Sequence, residues 1–274
     1  MPTSNGTWRP PTPTMPKRKA TLAAALASQG FGSRKDCQRL IRAGKVATGR
    51  ALGDALPIGG PDQPEIAMRW ELARDPEADF EPEGAWLRVG DLEMPWRENL
   101  FLAFHKPAET ECSHSPTHHQ SVFSFFPEAF LNRGLEAVGR LDADTTGLLF
   151  LSDAGGFIHH LTSPRRHVPK TYQVGLKHPL STEQMTRLAA GVELRGDEGP
   201  TGPAQVERLE ERLCRMTISE GRYHQVKRMF AAVGNRVETI HRVSIGPVGL
   251  EASLLPGQWR FLSSVETDAL GYKG

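Results

Sequence analysis

Three polar stretches carry the residue types that acid–base or nucleophilic chemistry uses. The first runs Gly139-Arg140-Leu141-Asp142-Ala143-Asp144-Thr145-Thr146, and the apolar run Gly147 to Leu151 follows directly. A loop of this kind can hold a carboxylate at the edge of a sheet, positioned by a rigid scaffold. Read alone, two Asp and two Thr before a strand equally make a tight turn with side-chain caps. The second stretch, Ser163-Pro164-Arg165-Arg166-His167, contains no acid and leads into Lys170-Thr171-Tyr172. The third, Glu220 to Phe230, brings Arg222, Lys227, Arg228 and His224 to the start of a helix. Cations there oppose the helix dipole, so phosphate or a buried carboxylate is expected to compensate them. A fourth group, Cys112, His114, His118 and His119, matches no standard zinc spacing and reads as a polar surface loop.

These residues need a scaffold, and the surrounding pattern predicts one. Leu100 to Phe104 and Gly147 to Leu151 are short apolar runs consistent with buried strands. Tyr172, Val174 and Leu176 alternate, as do Cys214, Met216 and Ile218, which predicts strands with one buried face. Thr182 to Ala190 reads as a helix closed by Gly191. Val226, Met229, Phe230 and Val233 fall at i, i+3, i+4 and i+7, an amphipathic helix ended by Gly234. Strands with interspersed helices and no regular βαβ rhythm predict an α+β domain with a mixed, largely antiparallel sheet, starting near Asn99.

Ahead of that domain, residues 17–50 hold nine Lys or Arg against one acid, Asp36. Leu22 to Gln29 is Ala-rich and helical by propensity, with Gly30 and Gly32 closing it. Ser33 opens a second helix with Asp36 as a capping-box acid. Cys37, Leu40 and Ile41 share one face of it, and basic residues including Lys35, Arg39 and Arg42 the other. A small module with such a face suits a phosphate backbone, although a merely solvated helix face has the same pattern. From Gly59 to about Glu83 acids outnumber bases and no periodicity is clean, which reads as an acidic insertion or mobile linker, with partial order left open. Trp86 to Val89 with Gly90-Asp91 reads as a returning strand and turn.

Composition narrows the function classes. The 274 residues have a formal net charge of +1, so the distribution of charge, and not its total, points to a polyanion. Three scattered cysteines without a CxxC pair support no disulfide framework and fit a reducing cytoplasm. The first sixteen residues contain Pro2, Pro10, Pro11, Pro13 and Pro16 and read as a disordered tail with no signal-peptide core. No run approaches the roughly 20 apolar residues that cross a bilayer, and there is neither a phosphate loop nor an HExxH motif.

Taken together, GRLDADTTGLLFLSDAG, SPRRHVPKTY and EGRYHQVKRMFAAVGNRV resemble the RsuA-like family of pseudouridine synthases, over roughly residues 99 to 262. The resemblance implies the pseudouridine synthase fold in residues 98–274. It also implies an S4-like RNA-binding domain in residues 17–97, interrupted by the insertion at about 59–85. It implies Asp142 as the essential aspartate, Tyr172 as the tyrosine that stacks on the target base and Lys227 as the cation paired with the aspartate. Arg140 would help hold the flipped nucleotide, and Lys106-Pro107 resembles an early Lys-Pro motif. The family's usual glycine two residues after that proline is Glu109 here.

The implied reaction breaks the bond from ribose C1′ to N1 of uracil, turns the base and rejoins it through C5. It conserves atoms and redox state, so no cofactor is expected. Flipping the uridine costs a few kcal/mol, and Arg165, Arg166, Lys170 and Arg228 are expected to offset this on flanking phosphates. Lys106, Arg222, His224 and Gln225, together with Arg34, Lys35, Arg39 and Arg42, complete the expected RNA-binding set. The Arg222-to-Lys227 stretch looks more like the branch acting on small-subunit (16S) ribosomal RNA. The alternatives are large-subunit (23S) RNA or a non-catalytic assembly protein. The expected partner is ribosomal RNA or an assembling small subunit, bound by a cytoplasmic monomer with no membrane contact.

Overall fold

The computed structural model describes residues 20–51, 58–59 and 68–273. The tail read over residues 1–16 lies outside them. The basic helices form as their signals require. Helix α1 (Leu22–Ser28) ends at Gln29, and α2 (Arg34–Arg42) starts on a Ser33–Asp36 capping box. Cys37 and Ile41 of α2 are buried against Leu22 and Leu26 of α1, while Arg34, Lys35, Arg39 and Arg42 stay exposed.

Beneath the helices lies a four-stranded antiparallel sheet. Its strands are β1 (Val46–Ala51), β2 (Met68–Leu72), β3 (Ala85–Val89) and β4 (Leu92–Pro95), in the order β2-β1-β3-β4. Part of the expected insertion is ordered here. Residues 60–67 lie outside the described chain, but Met68–Leu72 pairs along Ala47–Ala51, and Asp79–Phe80 pairs with Ala20–Thr21. Neither strand is among those expected from sequence. Asp79–Phe80 has only two residues; in β2 Met68, Trp70 and Leu72 alternate with Arg69 and Glu71, a short period-2 run on an edge strand with no buried residue.

The large sheet contains β5 (Phe101–Lys106), β6 (Thr146–Ser152), β7 (Lys170–Leu176), β8 (Gln205–Glu210), β9 (Leu213–Ile218), β10 (Val237–Ile245) and β11 (Trp259–Phe261). Their order is β8-β9-β7-β10-β6-β5-β11, with Ile58–Gly59 added beyond β11. Every neighbouring pair is antiparallel except β6 with β10, so the mixed, largely antiparallel sheet expected from sequence is what forms. Both faces of β6 are covered. Leu149 and Leu151 join one core cluster and Leu148 and Phe150 the other, which is why this strand reads as an unbroken apolar run. Helix α3 (Gly155–Thr162) lays Phe157 and Leu161 on the second cluster. Helix α5 (Gln225–Ala232) lays Val226, Met229 and Phe230 on the first. Helix α4 (Thr182–Ala190) ends at Gly191 as expected.

One row across this sheet positions the site. Lys106 is opposite Gly147, Gly147 opposite Arg242, Arg242 opposite Tyr172 and Tyr172 opposite Met216. Gly147 has φ +105°, and a Cβ there would lie 2.3 Å from the Arg242 carbonyl oxygen. No side chain fits, so Gly147 lets β6 and β10 approach where the polar loop enters the sheet.

The two parts of the chain are tied by Arg133. It donates to Asp153 at 2.7 Å, to Gln29 Oε1 at 2.8 Å and to the Arg97 carbonyl at 3.0 Å. Gly30 touches the same region from α1, since a Cβ would meet the Ala129 oxygen. Among the described residues no helix is long and apolar enough to cross a membrane.

Candidate active site

The loop ahead of β6 is closed by a turn in which Thr145 N–H donates to the Asp142 carbonyl at 3.1 Å. A lysine holds it from below. Lys106 has no exposed surface, and its Nζ donates to the carbonyls of Pro107 (3.0 Å), Ala143 (3.1 Å) and Thr145 (2.9 Å). Three acceptors call for three N–H donors, which only the ammonium form supplies. Burial nonetheless pulls its pKa below the ordinary lysine value. Lys106 therefore corrects the expectation from sequence: it cannot touch RNA, and it fixes the backbone on both sides of Asp144.

Above the loop, Lys227 of α5 and His224, the residue capping its start, reach the acids. Lys227 Nζ lies 3.1 Å from Asp142 Oδ2 and 2.7 Å from Asp144 Oδ1. The pairing of Lys227 with the aspartate, implied by the resemblance, is present but shared with Asp144. Burial disfavours the Lys227 charge, and its bonds to Asp144 and Asp142 outweigh that, raising its pKa. Burial acts upward on Asp144 too, and the Lys227 bond outweighs it, leaving Asp144 below its ordinary value. Both stay charged near neutral pH. His224 Nε2 is 3.3 Å from Asp142 Oδ1, a contact that sequence spacing did not suggest.

Tyr172, almost fully buried on β7, closes one side of a cleft of about 110 Å³. Asp142, Arg140, His224 and Lys227 line the same cleft, with Ile218 and Ile240. A wider groove of about 950 Å³ opens from it along Arg140, His118, His119, Tyr223 and His224. A carboxylate beside an ammonium group and an imidazole, facing an aromatic wall, can stabilise or attack an electron-poor carbon next to a flat ring.

Several residues expected to bind RNA are also engaged in holding the site. Gln225 is buried; its Oε1 accepts from Arg222 N–H at 2.9 Å and its Nε2 donates to Glu220. Arg222 pairs with Glu220 at 3.2 Å and donates to the carbonyls of Gly199 and Pro200. Arg228 makes two bonds to Asp197, at 2.7 and 3.2 Å, and donates to the carbonyls of Arg195 and Tyr223. Side chains so engaged brace the loop before α5. The cations at that helix start are thus paired with carboxylates, which are part-exposed and not the buried carboxylate expected. Lys170 is half-buried, and burial together with Arg242 lowers its pKa. Arg140, Arg165 and Arg166 remain exposed, as a phosphate contact requires.

Glu109 stands where the resemblance implies a glycine, and its φ is +56°. The backbone keeps a left-handed turn there, and the side chain reaches His119 at 3.1 Å. Glu111 orders the following loop by accepting the N–H groups of Thr117, His118 and His119. His114 stacks on Phe123 at 3.6 Å. Among the described residues no group of three or more His, Cys, Asp or Glu is placed to hold a metal.

Comparison with known proteins bears on these observations. Residues 100–232 match the model of the family described as RNA pseudouridylate synthase. A Yersinia pestis protein named ribosomal small subunit pseudouridine synthase A is 46% identical over 171 residues, spanning 62% of this chain and 72% of the relative. The Escherichia coli K12 protein of the same name is 45% identical over 166 residues, 61% and 71% of the two chains. A solved structure described as a crystal structure of pseudouridylate synthase superposes with a TM-score of 0.60. It is 35% identical, covering 91% of this chain and 99% of that one.

Proposed function

The chain belongs to the RNA pseudouridylate synthase family, and on that premise we propose that it isomerises one uridine of small-subunit (16S) ribosomal RNA, with Asp142 as the reacting carboxylate. The observation that carries the reading is the contact of Asp142 with Lys227 and His224 at the rim of a cleft walled by Tyr172. The choice of small-subunit RNA follows relatives that carry that name at 41–46% identity.

In this reading the target uridine leaves its stack and its base enters the cleft against Tyr172. The C1′–N1 bond breaks, and the C5–C1′ bond forms after the uracil turns. The hydrogen on C5 leaves as a proton and N1 takes one up, so atoms and charge balance. The Asp142 carboxylate acts at C1′ as a nucleophile or removes the 2′ proton, and Lys227 and His224 fix its direction. The Tyr172 ring holds the detached uracil, and its hydroxyl is suited to move the C5 proton. Arg140, Arg165, Arg166 and Lys170 lie toward the RNA backbone. The exposed cations of α2 make residues 17–97 an S4-like RNA-binding module, and residues 98–274 form the catalytic domain.

Pseudouridine mapping tests this proposal. Ribosomal RNA from cells lacking the protein should lose one small-subunit pseudouridine, restored by wild type and not by Asp142→Asn. A loss confined to large-subunit RNA would move the substrate. No loss in either RNA would remove the proposal.

A further inference from the structure

Flipping a uridine into the cleft leaves a second problem that the cleft does not solve. The neighbouring base loses the partner it stacked on, and that loss is part of the few kcal/mol flipping costs. One exposed aromatic ring stands beside the cleft. Tyr223 is 73% exposed, although large aromatic side chains are mostly buried. One face of its ring lies on His224, with centroids 3.8 Å apart and planes 23° apart. His224 in turn contacts Asp142 at 3.3 Å. The rings thus form a short stack that starts at the catalytic carboxylate and ends in solvent.

The stack is rigidly held. His224 takes a left-handed conformation, φ +48°, in which few non-glycine residues are found. The Tyr223 carbonyl accepts from Arg228 Nη1 at 3.1 Å, and Arg228 is itself fixed by Asp197. On the N-terminal side, Arg222 N–H is held by Gln225. A residue pinned on both flanks, yet with its ring turned outward, loses little freedom when something stacks on it. The ring lines the wide groove, next to exposed Arg140, whereas His224 lines both groove and cleft.

We propose that the outer face of Tyr223 is a stacking platform for the nucleobase next to the target uridine, replacing the partner that flipping removes. The inference rests on the RNA-isomerising reading above. Stacking on an aromatic ring tolerates any base, so the platform supplies affinity and not sequence choice.

The test uses the full chain and transcribed small-subunit ribosomal RNA labelled with tritium at uridine C5. Filter binding reads Kd across a salt series, and tritium release reads turnover. Stacking is worth about 1–3 kcal/mol per base, which is roughly 5- to 150-fold in Kd. Tyr223→Ala should raise Kd at least fivefold with an unchanged salt slope, and Tyr223→Phe should stay within about twofold of wild type. With saturating RNA, kcat of Tyr223→Ala should be near wild type. An unchanged Kd for Tyr223→Ala would overturn the platform. So would a fall in kcat at unchanged Kd, because that is the signature of a ring that merely supports His224. Wild-type protein that binds this RNA but releases no tritium would instead overturn the proposed function, and the Kd comparison would still decide the platform.

Discussion

Replacing Lys106 by Met keeps the length of the side chain and removes its charge and all three N–H donors. The sequence reading and the structure predict opposite outcomes. As an RNA-binding lysine, Lys106 would give up a phosphate contact, so Kd would rise, the salt slope would flatten by about one contact, and kcat would hold. As a fully buried lysine bonded to Pro107, Ala143 and Thr145, it never meets RNA. Hydrogen bonds from a charged donor contribute about 1.5–3 kcal/mol each, so three amount to roughly 4.5–9 kcal/mol gross. The cost of burying the ammonium, several kcal/mol, offsets most of that. The variant should therefore fold with stability lowered by a few kcal/mol. Its defect falls on Asp142, because the carbonyls of Ala143 and Thr145 lose their anchor. A shift of about 1 Å in a reacting group costs on the order of 100-fold. Single-turnover tritium release from C5-labelled RNA should fall by about that factor, with Kd and its salt slope near wild type. Weakened binding with an intact single-turnover rate would refute the positioning role.

Glu109→Gly should leave stability within about 1 kcal/mol and turnover unchanged, because glycine adopts the observed φ freely while losing more chain entropy. Glu109→Val should cost about 2 kcal/mol by thermal unfolding, since a β-branched residue resists positive φ; equal stability of the two variants would contradict the left-handed turn. Changing Arg34, Lys35, Arg39 and Arg42 together to Gln should flatten the salt dependence of RNA binding by about 0.7–0.9 per lost phosphate contact and spare the rate at saturating RNA. An unchanged slope would separate α2 from the RNA. Thiol titration of the folded chain should modify Cys112 first, since Cys37 and Cys214 are buried and burial pushes Cys214 up to about 12. Rapid reaction of all three thiols would contradict the packing around α2 and β9.

What was legible in the sequence follows from how local each signal is. The Ser33–Asp36 capping box, the limits of α4 and the alternation of β7 depend on residues a few positions apart, and each formed where expected. The separate roles of Lys106, Asp144 and Arg228 were not legible, because they depend on pairing across the sheet. Residue types alone present Lys106 and Arg228 as cations for RNA. Only the row joining β5, β6, β10 and β7 brings Lys106 under the loop, and only the approach of α5 to the loop gives Asp144 its lysine. In β2 the alternation of Met68, Trp70 and Leu72 with Arg69 and Glu71 was legible but brief, on an edge strand with no buried residue beside a Pro- and acid-rich stretch.

The proposed reaction depends on the Asp142 carboxylate. The direct measurement compares wild type with Asp142→Asn, purified in full length, for tritium release from C5-labelled small-subunit ribosomal RNA and for Kd with the same RNA. The amide keeps the size of the side chain and the Lys106-anchored loop, while removing the charge to which the proposal assigns the reaction. The predicted result is release at background with Kd within about threefold of wild type, since only the reacting group is lost. Tritium release by Asp142→Asn at a rate comparable to wild type would contradict the account and assign the chemistry to another group.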